Sequence, residues 1–268
     1  GYVGGFCANA PFIHLLNYFS WQYILNVTGI ITLIACLLFC LQRGFLHHIP
    51  QNKHASFSLK PFKEVLLNEK NHNLFIFGCL NYGLYYVIQT VIGVKFLKDF
   101  VNLSSEPAAI ILSFMIIIAG LSGVSLASLS SFLNNRRVIF MKTICIMSSI
   151  IFAVISLCIF FDIKTSLIAG LLLLIAIGGG MSPLLVPIIH QTNKYEIRGT
   201  ALSVMNSLFF IMFGFLGTLV GIILNLFPAI VNKTGYLVCS NKSYLVVFLT
   251  FFVFSLIEMY NVLKLKDV

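Results

Sequence analysis

Seven stretches of about 20 residues, nearly free of charge and apolar on every face, dominate this chain of 268 residues, and each can cross the ~30 Å hydrocarbon core of a bilayer. They cover 21–41, 74–94, 108–133, 138–161, 166–189, 201–227 and 244–263, after a partial stretch at 1–16. A helix lying at a water boundary keeps a polar stripe, and these have none, so they read as lipid-immersed. In hydrocarbon every backbone N–H and C=O must be satisfied within its own segment. The expected fold class is therefore all-α: a polytopic transmembrane helical bundle of about seven full spans plus one partial span.

Composition agrees. Hydrophobic residues make up 59% and charged residues 9%, against the roughly 25% charge that wets a soluble domain. The net charge of +9 comes from Lys and Arg in short interhelical segments rather than from one basic face, which excludes nucleic acid as a partner. The partner implied is the lipid bilayer. Most of the seven Cys lie inside apolar runs and none form a C-x-x-C pair, so they read as small hydrophobes. His47, His48, His54 and His72 are irregularly spaced with no Cys or carboxylate cluster beside them, so no metal and no cofactor is expected. Neither a Ser-His-Asp order, a phosphate loop nor a dinucleotide fingerprint occurs, and an enzyme is not expected.

Lys and Arg resist translocation, so their distribution over short loops sets orientation. One set of alternate loops holds 12 of the 17, including Arg43, Lys60, Arg136, Arg137, Lys194, Arg198 and Lys264, and the opposite set holds 5. The richer side is assigned to the cytoplasm, with the C-terminus. The expected localisation is a bacterial cell (inner) membrane, multi-pass, since frequent Asn, Lys, Ile and Phe fit an AT-rich coding sequence.

Several short motifs then share one source. Ala10-Pro11-Phe12 through Asn17-Tyr18-Phe19-Ser20-Trp21-Gln22 is similar to the fifth-to-sixth helix junction of the major facilitator superfamily, with Gln22 where Arg is usual. Gly120, Gly123, Ser130, Ser131, Asn134, Asn135, Arg136 and Arg137 resemble its loop between helices eight and nine, a degenerate Gly-x-x-x-Asp-Arg-x-Gly-Arg-Arg signature without the acidic residue. Gly178-Gly179-Gly180-Met181-Ser182-Pro183 and the step Glu196-Ile197-Arg198-Gly199-Thr200-Ala201 resemble its tenth helix and the junction to the eleventh.

The resemblance implies a domain organisation. Residues 1–41 are the end of an N-terminal bundle (partial helix five and helix six), 42–73 a cytoplasmic central linker with room for a short amphipathic helix, and 74–268 the C-terminal six-helix bundle. Because Gly1 opens inside an apolar run, an N-terminally truncated fragment is expected, with the N-terminal half of the transporter as a partner. The implied function is a secondary carrier moving a small solute by alternating access, with substrate between the two halves near the midplane. The alternative is a nonfunctional remnant, or a half-transporter subunit needing a separate N-terminal half. Proton coupling stays open.

Candidate residues follow from polarity within the spans. Asn81, Tyr85 and Gln89 recur at i, i+4, i+8 and so share one helical face, flanked by Tyr82 and Tyr86; the stripe reads equally as helix-to-helix packing or as cavity lining. Ser182 and Asn206 are further substrate-cavity candidates, the second with Phe209, Phe210 and Phe213 nearby. Arg136, Arg137, Glu196 and Arg198 are gating-loop candidates. Glu258, the ionisable residue noted inside a span, reads mainly as reaching the headgroups or pairing with Lys264, with proton coupling as the sharper reading. His14 reads as interfacial. An uncharged cavity face points to a neutral, zwitterionic or amphiphilic solute.

Overall fold

A computed structural model describes residues 2–7, 10–41, 58–231 and 236–267. Its helices are α1 (Tyr2–Cys7), α2 (Ala10–Leu15), α3 (Trp21–Leu41), α4 (Lys60–Leu67), α5 (Glu69–Val87), α6 (Gly93–Asp99), α7 (Ser105–Phe132), α8 (Arg137–Phe160), α9 (Leu167–Ile175), α10 (Ser182–Thr192), α11 (Arg198–Asn225) and α12 (Asn241–Leu263). A π-helical segment, Ile88–Ile92, joins α5 to α6, and a 3-10 turn, Gly178–Gly180, joins α9 to α10. Two short antiparallel strands, Ile230–Val231 and Leu237–Val238, form a hairpin before α12.

Among the described residues, seven helices are long and apolar enough to span a membrane. Their limits differ from the sequence reading mainly at polar ends. The second span runs Glu69–Asp99, beginning five residues earlier than 74, because Asn68 caps α5 by accepting from the Lys70 N–H. Helical starts tolerate such polar residues where the first backbone donors need partners. The segment 42–57, with Arg43, Lys53, His47, His48 and His54, lies outside the described residues. His72 Nε2 lies 2.6 Å from the Leu66 carbonyl oxygen.

Turns between spans use short polar side chains. Asn102, Asn134, Asn135 and Asp162 all have positive φ, between 53° and 62°, a region that Asn and Asp enter at lower cost than other non-glycine residues. Asn134 and Asn135 in succession reverse the chain between α7 and α8.

The bundle from α5 to α12 packs around two apolar cores. One gathers Ile88, Phe96, Leu112, Phe152, Leu172, Leu216, Tyr244 and Phe248. The other gathers Val65, Leu74, Met141, Leu185, Ile189, Met205 and Val262. The second lies toward the end that carries Arg136, Arg137, Lys194 and Lys264, here the basic end; the first lies toward the opposite, far end. α1 and α2 pack against α7, whereas no residue of α3 is buried.

Glycines set how closely the helices approach. Gly78 and Gly83 on α5 face Phe209, Met212 and Leu216 of α11, where a Cβ would come within 3.0 Å of side-chain carbons. At the 3-10 turn the fit is tighter: a Cβ on Gly179 would stand 2.7 Å from the Tyr85 ring, and one on Gly180 would overlap the Ala119 carbonyl, the Gly123 amide nitrogen and Ser122 Oγ. Backbone atoms of α7 cannot step aside as a flexible side chain can. Gly180→Ala therefore lowers stability by about 1–3 kcal/mol, despite the better helix propensity of Ala. Gly170→Ala, with open space around the new methyl, leaves the thermal unfolding midpoint in detergent unchanged, and equal midpoints for the two variants refute the close approach.

Candidate functional site

The two apolar cores are separated by a layer of polar groups. Asn81 and Tyr85 of α5, Ser148 of α8 and Glu258 of α12 surround a cavity of about 10 Å³, closed by Leu84, Phe152 and Ile175. Tyr85 Oη donates to the Met115 carbonyl of α7 at 3.3 Å. Cys145 Sγ donates to Glu258 Oε1 at 3.2 Å. Gly178 brings the 3-10 turn against the Asn81 amide, since a Cβ there would stand 3.2 Å from Nδ2. Ser122 Oγ lies 3.0 Å from the Ile177 carbonyl oxygen and ties α7 to the same turn.

Glu258 corrects the sequence reading. It is 1% exposed, facing α5 and α8 rather than the headgroups, while Lys264 sits over the Tyr260 ring at 3.9 Å.

The Asn81-Tyr85-Gln89 stripe is buried along its whole length. Gln89 falls in the π-helical segment Ile88–Ile92, an insertion frequent at functional sites. Ser182 and Asn206 are not brought to this cluster; both are exposed, at the start of α10 and on α11. Asn206 shares its helical face with Phe210, one turn on, which is 56% exposed. Phe210 meets Tyr82 edge-on at 5.8 Å, Tyr82 stacks on Phe209 at 5.0 Å, and Tyr86 meets Phe213 at 6.4 Å. α5 thus turns its amide and Tyr85 inward and two tyrosines toward an aromatic face shared with α11.

The gating-loop candidates lie at the basic end. Arg136 is exposed; Arg137 Nη2 donates to Asn135 Oδ1 at 3.1 Å and Nη1 to Gln191 Oε1 at 3.5 Å. Glu196 is exposed. Arg198 Nε donates to the Asn193 carbonyl at 3.5 Å, with the guanidinium over the Tyr195 ring. Beside them Asn71 and Asn193 exchange two amide hydrogen bonds of 2.9 Å, fixing the start of α5 to the end of α10. Lys194 Nζ donates to Glu64 Oε1 at 2.7 Å, and this hydrogen bond raises the ammonium above its usual pKa.

Sequence reasoning passed over Asp99, whose neighbours looked like loop. Its side chain is fully buried and takes an ion pair from Lys95 at 3.1 Å, a hydrogen bond from Tyr244 Oη at 2.8 Å and one from the Cys239 N–H at 2.9 Å. Lys95 also donates to the Leu237 carbonyl. The i, i+4 spacing of Lys95 and Asp99 was the available signal. The result is a polar clasp joining α6, the hairpin and α12 at the far end.

The family model for the Major Facilitator Superfamily matches residues 1–218. A comparison with curated proteins finds no match.

Tyr244→Phe removes one hydrogen bond to the buried Asp99 carboxylate and costs about 2 kcal/mol of stability. Lys164→Ala, which removes an exposed pair with Asp162 at 3.7 Å, costs less than about 1 kcal/mol. Thermal unfolding of both variants in detergent measures the difference, and equal shifts would show the clasp to be no stronger than a surface pair.

Proposed function

Since the chain belongs to the major facilitator superfamily, a family of membrane transporters, we propose that it is a secondary carrier moving a small solute by alternating access. In this reading two six-helix bundles rock about a site near the bilayer midplane. α5 to α12 form the C-terminal bundle, and α1 to α3 belong to the N-terminal one, joined by a cytoplasmic linker. The N-terminal half is then the partner that covers α3, which has no buried residue, and the polar-aromatic face of α11.

That face is the observation that carries the proposal. Exposed Asn206 and Phe210 on α11 adjoin Tyr82 and Tyr86 on α5, offering an amide, phenol hydroxyls and ring faces without formal charge. Such a lining suits a neutral, zwitterionic or amphiphilic solute: aromatic area supplies burial while a few polar groups fix orientation. Ser182 supplies a further hydroxyl at the start of α10. The inward stripe of Asn81, Tyr85 and Gln89 supports the bundle behind this face.

The excess of Lys and Arg at the basic end favours a cytoplasmic position for that end, and in this reading the C-terminus lies on the cytoplasmic side of a bacterial inner membrane. Arg136, Arg137, Glu196 and Arg198 then form the cytoplasmic gate region. Arg137 reaches from α8 to Gln191 near the end of α10, a bond that inward opening has to break or carry along.

The test is uptake and exchange in proteoliposomes with labelled neutral sugars and zwitterionic amino acids. Asn206→Ala and Tyr82→Leu each lower the uptake of the accepted solute about tenfold, corresponding to roughly 1.4 kcal/mol, with folding intact by gel filtration. Asn81→Ala lowers folded yield and uptake together. Full uptake in the α11 and α5 variants removes this face from the solute path, and an absence of exchange by the wild-type chain with every solute favours a remnant or a half-transporter subunit.

A further inference from the structure

The polar layer contains one carboxyl group that ion pairing does not account for. Glu258 lies between α12, α8 and α5, 1% exposed. Its Oε1 accepts from the Cys145 thiol, and its Oε2 has no hydrogen-bond partner. The cavity of about 10 Å³ beside the carboxyl is bounded by the Asn81 amide and the Tyr85 and Ser148 side chains, a volume at the lower limit for one water molecule. Among the described residues, the ion pairs are Lys95–Asp99, Lys164–Asp162 and Lys194–Glu64, and none includes Glu258.

The titratable groups that face it are therefore few. α8 presents the Cys145 thiol, and Lys142, three residues earlier, opens instead into the cleft at the basic end with Arg136, Lys266 and Asp267. α5 presents the Tyr85 phenol, which donates to Met115. α12 itself places Asn261 one turn away, its Nδ2 donating to the Ile257 carbonyl.

A lone ionised carboxylate in this setting is costly, whereas a neutral acid avoids that cost, keeps the Cys145 bond and borders a cavity lined by the Asn81 amide and the Ser148 hydroxyl. We propose that Glu258 is a proton-binding site: a hydronium ion reaching the adjoining cavity gives up one proton, its O–H bond breaking to leave water as the Oε2–H bond forms, and the reverse transfer to water regenerates the carboxylate and hydronium, while Oε1 stays held by Cys145. The site lies away from the Asn206 and Phe210 face, so proton and solute occupy separate places in the bundle. α5 connects them, with Asn81 and Tyr85 toward Glu258 and Tyr82 and Tyr86 toward α11. Coupling of the bound proton to solute movement rests on the carrier reading; the proton site does not.

Infrared difference spectroscopy of the full chain in lipid bilayers tests the site without any solute. A carboxylic-acid C=O band present at neutral pH declines reversibly as pH is raised and is missing in Glu258→Gln. Cys145→Ala keeps the band but shifts its frequency, and Cys145→Ser, which restores a donor, moves it back toward wild type; this pair carries the test if Glu258→Gln does not fold. A wild-type spectrum with no such band, a band indifferent to pH, or one lost at constant pH when sodium replaces choline overturns the proposal. In proteoliposomes, Glu258→Gln abolishes solute accumulation driven by a pH gradient while solute exchange stays within twofold of wild type. Loss of all exchange in wild type would sink the carrier reading and leave the spectroscopic result standing.

Discussion

The close approach of Gly178–Gly180 to α5 and α7 is the constraint on which the rest of the bundle depends. Polar groups inside a lipid-immersed bundle have no water to fall back on, so each needs a partner within reach. The turn between α9 and α10 brings its backbone against Asn81, Tyr85 and Ser122 because none of its three residues carries a side chain. At the helix spacing that a Leu or Ile there would impose, Ser122 could not reach the Ile177 carbonyl and the small cavity beside Glu258 would widen. Close packing through small residues is how membrane helices gain dispersion and hydrogen bonds together.

This layer also divides the interior. Toward the far end the core is rich in packed rings, with Phe96 stacked on Phe100 at 5.6 Å and tilted against Phe248 at 4.6 Å. Toward the basic end it holds fewer rings, Phe75, Phe77 and Phe209, and more sulfur, with Met141, Met181, Met205 and Cys145. α5 crosses both cores and changes character on the way, from α-helix to the π-helical turn at Ile88–Ile92. Gly93 sits just beyond that turn, where a Cβ would overlap the Ile88 carbonyl. The wider turn rotates α6 relative to α5, and that rotation sets Lys95 and Asp99 toward the hairpin and Tyr244.

The spans were legible because length and uninterrupted apolarity are one-dimensional properties, and Trp21–Leu41 has the limits read from the sequence. Family membership was legible for a similar reason: its short motifs are contiguous, and the match over residues 1–218 covers all of them. What escaped is what depends on rotation about a helix axis or on partners distant in sequence. Glu258 was read as facing the headgroups and is instead buried. Asn71 and Asn193 are 122 positions apart, so neither announces its amide pair. Asp99 looked like loop because Lys98 and Asn102 surround it, although it is the last residue of α6. The aromatic face was half visible: Phe209, Phe210 and Phe213 stood out, but their pairing with Tyr82 and Tyr86 required the packing of α11 on α5.

The distribution of polar bonds bears on how such a bundle can move. Its two ends are tied by specific, directional interactions: the Asp99 clasp at one end, the reciprocal Asn71 and Asn193 amides at the other. Between them the polar layer combines the close approach of Gly178–Gly180, the Ser122 bond to the Ile177 carbonyl, the weak thiol bond from Cys145 to Glu258, the long Tyr85 bond to Met115 and a small cavity that leaves packing incomplete. Dispersion falls steeply with separation, so incomplete packing lowers the cost of a local shift. A change in the charge or hydrogen bonding of Glu258 acts at that same level, on the helix whose opposite side bears Tyr82 and Tyr86, and this shared helix gives a physical route between the buried acid and the exposed aromatic face.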